Sequence, residues 1–240
     1  MLFRSDRGVR GLTSNPTIFQ KAIQGSADYD QQFESLVRKK TEPIDAYWQL
    51  VLSDIEAALD VFEPVYKESK GADGFVSVEV DPSLAHDGAG TLAAARDLHE
   101  RIARPNVMIK IPATQEGLPA IRQMIAEGRS VNVTLIFSLE RYAAVLDAYI
   151  SGLEDRLAAG VTDLSDIASV GSFFISRVDT EVDRRLEAVG TPAALALRGK
   201  AAIAQARLAY SLFREKHDGA RFRRVAIYGA RVQQIGRAHV

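Results

Sequence analysis

Asn106-Val-Met-Ile-Lys-Ile111 sets a lysine inside an apolar run of strand length, and its two flanking runs, Phe75-Val-Ser-Val-Glu-Val80 and Ser130-Val-Asn-Val-Thr-Leu-Ile-Phe137, carry polar residues in the same alternating way. Successive side chains along a strand point to opposite faces. Val76, Val78 and Val80 therefore share a face and leave Ser77 and Glu79 on the other, while Val107, Ile109 and Ile111 leave Lys110 opposite. In the third run the outward set is Val131, Val133, Leu135 and Phe137, which leaves Asn132 and Thr134 facing inward. Strands of a helix-covered parallel sheet are normally apolar on both faces, so polar groups on one face of three such strands mark a site rather than a core.

Two further runs, 8–12 and 167–174, bring the strands to five, and segments of helical period alternate with them. Trp48, Val51, Leu52, Ile55, Leu59 and Phe62 make one helical stripe; Tyr142, Val145, Leu146, Tyr149, Ile150, Leu153 and Leu157 make another. Pro43, Pro119 and Pro192 fit helix starts, and Gly128, Gly160 and Gly190 fit helix stops. The stretch 13–73 has room for at least two helices, and 224–228 reads as a sixth short strand or the end of the helix before it. Strand and helix in alternation give an α/β chain with a parallel sheet, and the 240 residues suit the roughly 250 of a (β/α)8 TIM barrel. No Gly-, Pro- or Ser-rich linker divides it, so one barrel domain over 6–234 is expected.

Composition removes several classes of function. With 30 basic and 31 acidic side chains the net charge is -1 and the charges are scattered, which argues against nucleic acid as a partner. The absence of cysteine excludes disulfides, thiolate metal sites and a cysteine nucleophile, and suits a cytoplasmic protein. No run reaches the roughly 18 apolar residues of a membrane span. His86, His99, His217 and His239 show no metal spacing, so no metal is expected. Gly88-Ala-Gly90 does not follow a strand as a dinucleotide loop would, and neither a phosphate-loop lysine motif nor a GxSxG elbow occurs.

A lysine held in an apolar strand loses hydration, which favours the neutral, nucleophilic amine. With neighbouring strands about 4.8 Å apart, Lys110 would have Glu79 on one side and Asn132 with Thr134 on the other. A carboxylate and a hydroxyl so placed can serve the proton transfers and water loss of Schiff-base formation. The constellation thus reads as an imine-forming aldolase; the alternative is a strand-end salt bridge between Lys110 and Glu79. Thr13-Ser-Asn-Pro16 follows the first strand, where a barrel puts ligand loops, although the same residues cap helices and make turns. Ser172 and Arg177 bracket the end of the last strand, and Arg177 suits a sugar phosphate or plain surface exposure.

Gly11-Leu-Thr-Ser-Asn-Pro-Thr-Ile-Phe19, Val78-Glu-Val-Asp-Pro82, Met108-Ile-Lys-Ile-Pro-Ala-Thr114, Asn132-Val-Thr-Leu-Ile-Phe-Ser138 and Ser172-Phe-Phe-Ile-Ser-Arg177 resemble, in order and spacing over residues 7–234, the transaldolases in their longer bacterial form. The resemblance implies a cofactor-free class I aldolase of the pentose phosphate pathway. Such an enzyme moves a dihydroxyacetone unit from sedoheptulose 7-phosphate to glyceraldehyde 3-phosphate, giving erythrose 4-phosphate and fructose 6-phosphate. It further implies that Lys110 forms the Schiff base and that Glu79 and Thr134 handle its water. Asn15 and Asn132 would bind the dihydroxyacetone hydroxyls, Thr13 and Ser172 would support the pocket, and Arg177 would take the phosphate. The alternatives are another Schiff-base aldolase, acting on free dihydroxyacetone or another small carbonyl donor, and a non-catalytic sugar-phosphate-binding barrel fragment. Nothing in the sequence fixes an oligomeric state.

Members of the family begin with an earlier strand whose aspartate serves carbon–carbon cleavage, and they continue past the position of Gln234 into two more strands. On that comparison the chain carries strands two to six of eight, an incomplete barrel expected to be inactive or nearly so. The ends suggest the same. Ile-Gly-Arg-Ala-His-Val, residues 235–240, can be encoded by ATC GGA AGA GCA CAC GTC, and the opposite strand, extended by CT, reads Met-Leu-Phe-Arg-Ser, residues 1–5, from a GTG start. Both ends are therefore expected to be translated sequencing adapter, to be set aside in reasoning about the fold.

Overall fold

The computed structural model describes residues 8–232; the two suspected adapter ends, 1–5 and 235–240, and His239 lie outside the described residues. The chain groups into two compact units, one running to Pro82 and including Ala93–Lys110, the other formed by Ser83–Leu92 and the chain from Ile111 onward. Strand order follows chain order, β1 to β5, and helices alternate with the strands, so the fold is α/β.

The first unit is built on β1 (Leu12–Thr13), β2 (Val76–Glu79) and the first four residues of β3 (Val107–Pro112), paired in parallel. Three helices separate β1 from β2: α1 (Pro16–Gly25), α2 (Asp30–Arg38) and α3 (Pro43–Glu68). Asn15 starts α1 by accepting the Ile18 N–H at 3.0 Å, with Pro16 in the first turn where its missing N–H costs nothing. Pro43 opens α3 in the same way, and Leu50, Val51, Ile55, Leu59 and Phe62 form its buried stripe. The stripe predicted from 48–62 is therefore present, with Trp48 at its half-buried edge.

Between α3 and β2 the chain must reverse close against the helix. Gly74 makes this turn at φ 84°, and a Cβ there would lie 2.4 Å from the Tyr66 nitrogen, so both conformation and space demand glycine. Its N–H donates to the Arg10 carbonyl at 2.7 Å. Asn106, fully buried, donates from Nδ2 to the Leu59 and Gly74 carbonyls and so ties the entry of β3 to α3 and β2. The register is one for one: Val76 with Val107, Ser77 with Met108, Val78 with Ile109 and Glu79 with Lys110. The predicted strand 8–12 shrinks to two residues, because Gly8 takes a positive φ and pairing begins only at Leu12. The helix α4 (Gly88–Ile102) is divided between the two units.

The second unit holds the last two residues of β3, then α5 (Gly117–Ala126), β4 (Val131–Ile136), α6 (Leu139–Ala158) and β5 (Ser169–Phe173). It ends in α7 (Ser176–Val189), the short α8 (Pro192–Leu195), α9 (Ala201–His217) and α10 (Ala220–Ala226). The segment 224–228 is thus a helix end, not a sixth strand. Ser138 caps α6 by accepting the Arg141 N–H, and the predicted stripe on α6 is realised in Val145, Leu146, Tyr149, Ile150 and Leu153. On this helix Gly152 lets α5 come close, since a Cβ there would meet the Arg122 carbonyl at 2.5 Å. The Lys216 ammonium donates to Asp147 at 2.9 Å and Arg221 Nε to Glu154 at 2.9 Å, joining α9 and α10 to α6.

The strands β4 and β5 pair in parallel, Val131 with Ser169, Asn132 with Val170 and Val133 with Gly171, after which the register slips to Ile136 with Phe173. At the slip Leu135 takes φ 59° and β4 carries one residue more than its partner, a β-bulge. This corrects the expected outward set of the strand. Ile136 is fully buried, whereas Leu135 and Phe137 are 37% and 40% exposed, because the bulge reverses the alternation after Thr134.

Candidate active site

In the first unit, the pairing of Glu79 with Lys110 puts both side chains on one face of neighbouring parallel strands. Lys110 is 7% exposed, and its Nζ donates to Glu79 Oε2 and to the Ser14 carbonyl, each at 3.1 Å. The Ser14 carbonyl is presented by the loop that leaves β1: the Ser14 N–H and hydroxyl both donate to the Ser77 carbonyl, which fixes the loop over β2. Thr13 pairs with Ser77 and so stands on the same face, at an exposed position. A buried amine in contact with a carboxylate is suited to add to a carbonyl and pass a proton to its neighbour.

Asn15 stands just beyond. Its Oδ1 is used by the cap of α1, and its side chain lines a small concavity with Phe19, Tyr47, Trp48 and Glu79. Burial, followed by the charges of Asp81 and Glu79, pushes the Tyr47 phenol above its ordinary value, so the hydroxyl stays a donor over the whole neutral range. Thr13, Asn15, Glu79 and Lys110 are therefore gathered in this unit.

The other four predicted residues belong to the second unit. Asn132 is 4% exposed and Thr134 is buried with it on β4. Ser172 Oγ donates to Asn132 Oδ1 at 2.9 Å, as the register implies, for Asn132 pairs with Val170 and Ser172 lies two residues further along the same face of β5. The Thr134 carbonyl accepts the Ala113 N–H at 2.8 Å. Arg177, exposed in the first turn of α7, lies with its guanidinium carbon 4.7 Å from the centroid of the Phe174 ring, and that ring is stacked on Phe137 at 4.9 Å.

Sequence reasoning missed the Ser14 carbonyl, the pair Tyr47 and Trp48, and the aromatic stack. The first is a backbone group with no side-chain signature. Tyr47 and Trp48 lie on α3, remote in sequence from the strands. Phe137 and Phe174 were visible as aromatic residues just past two strand ends, but only the register slip in β4 shows that they meet. Among the described residues no group of three or more His, Asp or Glu side chains is arranged to hold a metal ion, and no helix is long and apolar enough to cross a membrane.

Comparison with known proteins gives a consistent result. A family model described as Transaldolase/Fructose-6-phosphate aldolase matches residues 3–237. The chain is 54% identical over 228 residues to the transaldolase of Parafrankia sp. (strain EAN1pec), covering 95% of this chain and 62% of that protein. It is 54% identical over 230 residues to the transaldolases of Saccharopolyspora erythraea and of Thermobifida fusca, covering 96% of this chain and 62% of each relative. The chain therefore spans 62% of the length of these curated relatives.

Proposed function

Because the chain belongs to the transaldolase/fructose-6-phosphate aldolase family, we propose that it carries the imine-forming machinery of a transaldolase and acts on sugar phosphates in the cytoplasm. The observation that carries this reading is the buried contact of Lys110 Nζ with Glu79 Oε2. Lys110 Nζ passes one proton to Glu79, and the amine so formed adds to the ketose carbonyl carbon. A second proton moves from Nζ to the former carbonyl oxygen and gives the carbinolamine, whose hydroxyl takes up the proton held on Glu79 and leaves as water, so that the iminium remains; Thr134 holds that water. Asn15 and Asn132 bind hydroxyls of the dihydroxyacetone unit, Thr13 and Ser172 support them, and Arg177 binds the phosphate. No cofactor takes part. The activity is transfer of a dihydroxyacetone unit from sedoheptulose 7-phosphate to glyceraldehyde 3-phosphate.

The 62% share of the relatives' length supports a finer reading, in which these residues correspond to strands two to six of a (β/α)8 barrel. On that reading the 240-residue chain forms the imine but completes the transfer slowly or not at all. The test is borohydride trapping with fructose 6-phosphate, read by intact mass. A reduced adduct on Lys110 is expected; an adduct that persists in Lys110→Ala would refute the assignment. Transfer to glyceraldehyde 3-phosphate at the rate of a full-length relative would refute the finer reading alone. Formation of fructose 6-phosphate from free dihydroxyacetone and glyceraldehyde 3-phosphate would instead assign the second activity in the family's description.

A further inference from the structure

Arg177 is exposed at the start of α7, and a long cation on a surface turn would ordinarily sample many rotamers. Here it has a platform. Its guanidinium carbon is 4.7 Å from the Phe174 centroid, within the range of a cation–π contact. Phe174, immediately after β5, is stacked on Phe137, immediately after β4, with centroids 4.9 Å apart and planes 17° from parallel. Phe137 in turn is held from α9: Gln205 Nε2 donates to its carbonyl oxygen at 2.6 Å. The bulge at Leu135 is what frees Phe137 from the buried face and lets it reach Phe174.

We infer that Phe137, anchored by Gln205, is a positioning residue for Arg177, holding the Phe174 platform that pre-orients the guanidinium toward the phosphate of a sugar-phosphate substrate. This deepens the assignment of Arg177 to the phosphate and rests on it. Ring stacking restricts the two side-chain torsions of Phe174, and the fixed ring restricts the guanidinium, so less ordering remains for substrate binding to impose. Phe137 touches neither the reacting carbon nor the phosphate on this account. Its effect should appear in phosphate affinity and leave imine formation by an unphosphorylated donor unchanged.

The test uses the 240-residue chain with inorganic phosphate as the probe, followed through the Arg177 Nε–H resonance, which is assigned by its loss in Arg177→Lys. In the wild type this resonance should be displaced by the ring current of Phe174 and should respond to phosphate. In Phe137→Ala and in Gln205→Leu the displacement should shrink and phosphate should bind about three- to fivefold more weakly, the scale of one exposed cation–π contact. Phe137→Tyr should restore both. Borohydride trapping with dihydroxyacetone should be unaffected, within about twofold, in all three variants. The inference is overturned if the Arg177 resonance and phosphate affinity are the same in Phe137→Ala as in the wild type, or if trapping with dihydroxyacetone falls in parallel with phosphate affinity, the mark of a merely structural role. A wild-type resonance that is ring-shifted yet indifferent to phosphate would overturn the phosphate assignment of Arg177, and with it the purpose of the platform, while leaving the Lys110 imine to its own assay.

Discussion

The strand pair β2–β3 and the strand pair β4–β5 are built from similar apolar sequences but keep different accounts of their residues. Along β2–β3 each residue has one partner, four in succession, so the face of every side chain follows from simple alternation. Along β4–β5 three such pairs are followed by a slip in which β4 advances three residues and β5 two. The regular ladder delivers Glu79 and Lys110 side by side. The bulged ladder delivers Asn132 and Ser172 as alternation would, then turns Leu135 out, Ile136 in and Phe137 toward Phe174. Periodicity in a sequence thus assigns faces only as far as the ladder stays regular, and the irregular end is where Phe137 meets Phe174 and the exposed Arg177.

The sharpest way to test the regular pair is to remove its chemistry. Lys110→Met should abolish borohydride-trapped adduct with fructose 6-phosphate completely. Glu79→Gln keeps the size of the side chain but not its proton acceptor, so it should slow imine formation by about 100-fold or more while Lys110 remains the modified residue. If Glu79→Gln traps at the wild-type rate, the contact at 3.1 Å is a salt bridge without a role in proton transfer.

The two ladders can next be set against each other with one substitution. Ile109 is fully buried in the regular ladder, and Ile109→Gly removes its packing and adds backbone freedom, a loss of about 4 kcal/mol or more in denaturant unfolding. Leu135 lies in the left-handed region at φ 59° and is partly exposed. Relief of a left-handed strain of about 1–2 kcal/mol offsets the lost contact there, so Leu135→Gly should change stability by less than about 1 kcal/mol. Leu135→Val should be worse than glycine, since a β-branched side chain tolerates that conformation poorly. Equal losses for glycine at 109 and 135 would mean that the bulge does not persist in solution.

The legible part of the molecule is the part governed by local, repeated signals. Two helices could be read from stripes whose spacing alone makes a buried face, and β2 and β3 from apolar runs of the right length; all lie where they were expected to within one residue or a few turns. The Lys110–Glu79 contact followed from the same alternation plus one assumption, that the two strands are neighbours. What escaped depends on departures from repetition. The strand 8–12 pairs with β2 only from Leu12 onward, with Gly8 at a positive φ, and the bulge depends on a single positive φ at Leu135 that no residue type announces. The anchoring of Phe137 by Gln205 joins positions 68 residues apart and is invisible to any local pattern.

A smaller difference between the two regions concerns acid. The regular pair has its buried amine matched to a carboxylate, whereas the second unit buries an imidazole with less support. His217, 8% exposed at the end of α9, holds Nδ1 2.8 Å from the Phe213 carbonyl, so the neutral ring carries its proton there, and Phe213 and Phe222 pack on it at 4.2 and 4.7 Å. Its Nε2 is buried without a hydrogen-bond partner among the described residues. Burial lowers its pKa below the ordinary value, with the Phe213 carbonyl and Asp218 acting the other way. A lowered folded value means that the unfolded chain takes up this proton first as pH falls through about 6.5. The stability of the α9–α10 packing is therefore complete above that pH and declines below it, until the folded ring is protonated too. Hydrogen exchange at pH 5.5 compared with 7.5, corrected for intrinsic rates, should show α9 and α10 loosening while β2 and β3 do not, and His217→Leu should remove the difference. If α9 and α10 respond to acid equally with and without the imidazole, the sensitivity belongs instead to Glu154, whose carboxyl the Arg221 guanidinium holds below its ordinary value and whose protonation would release that arginine.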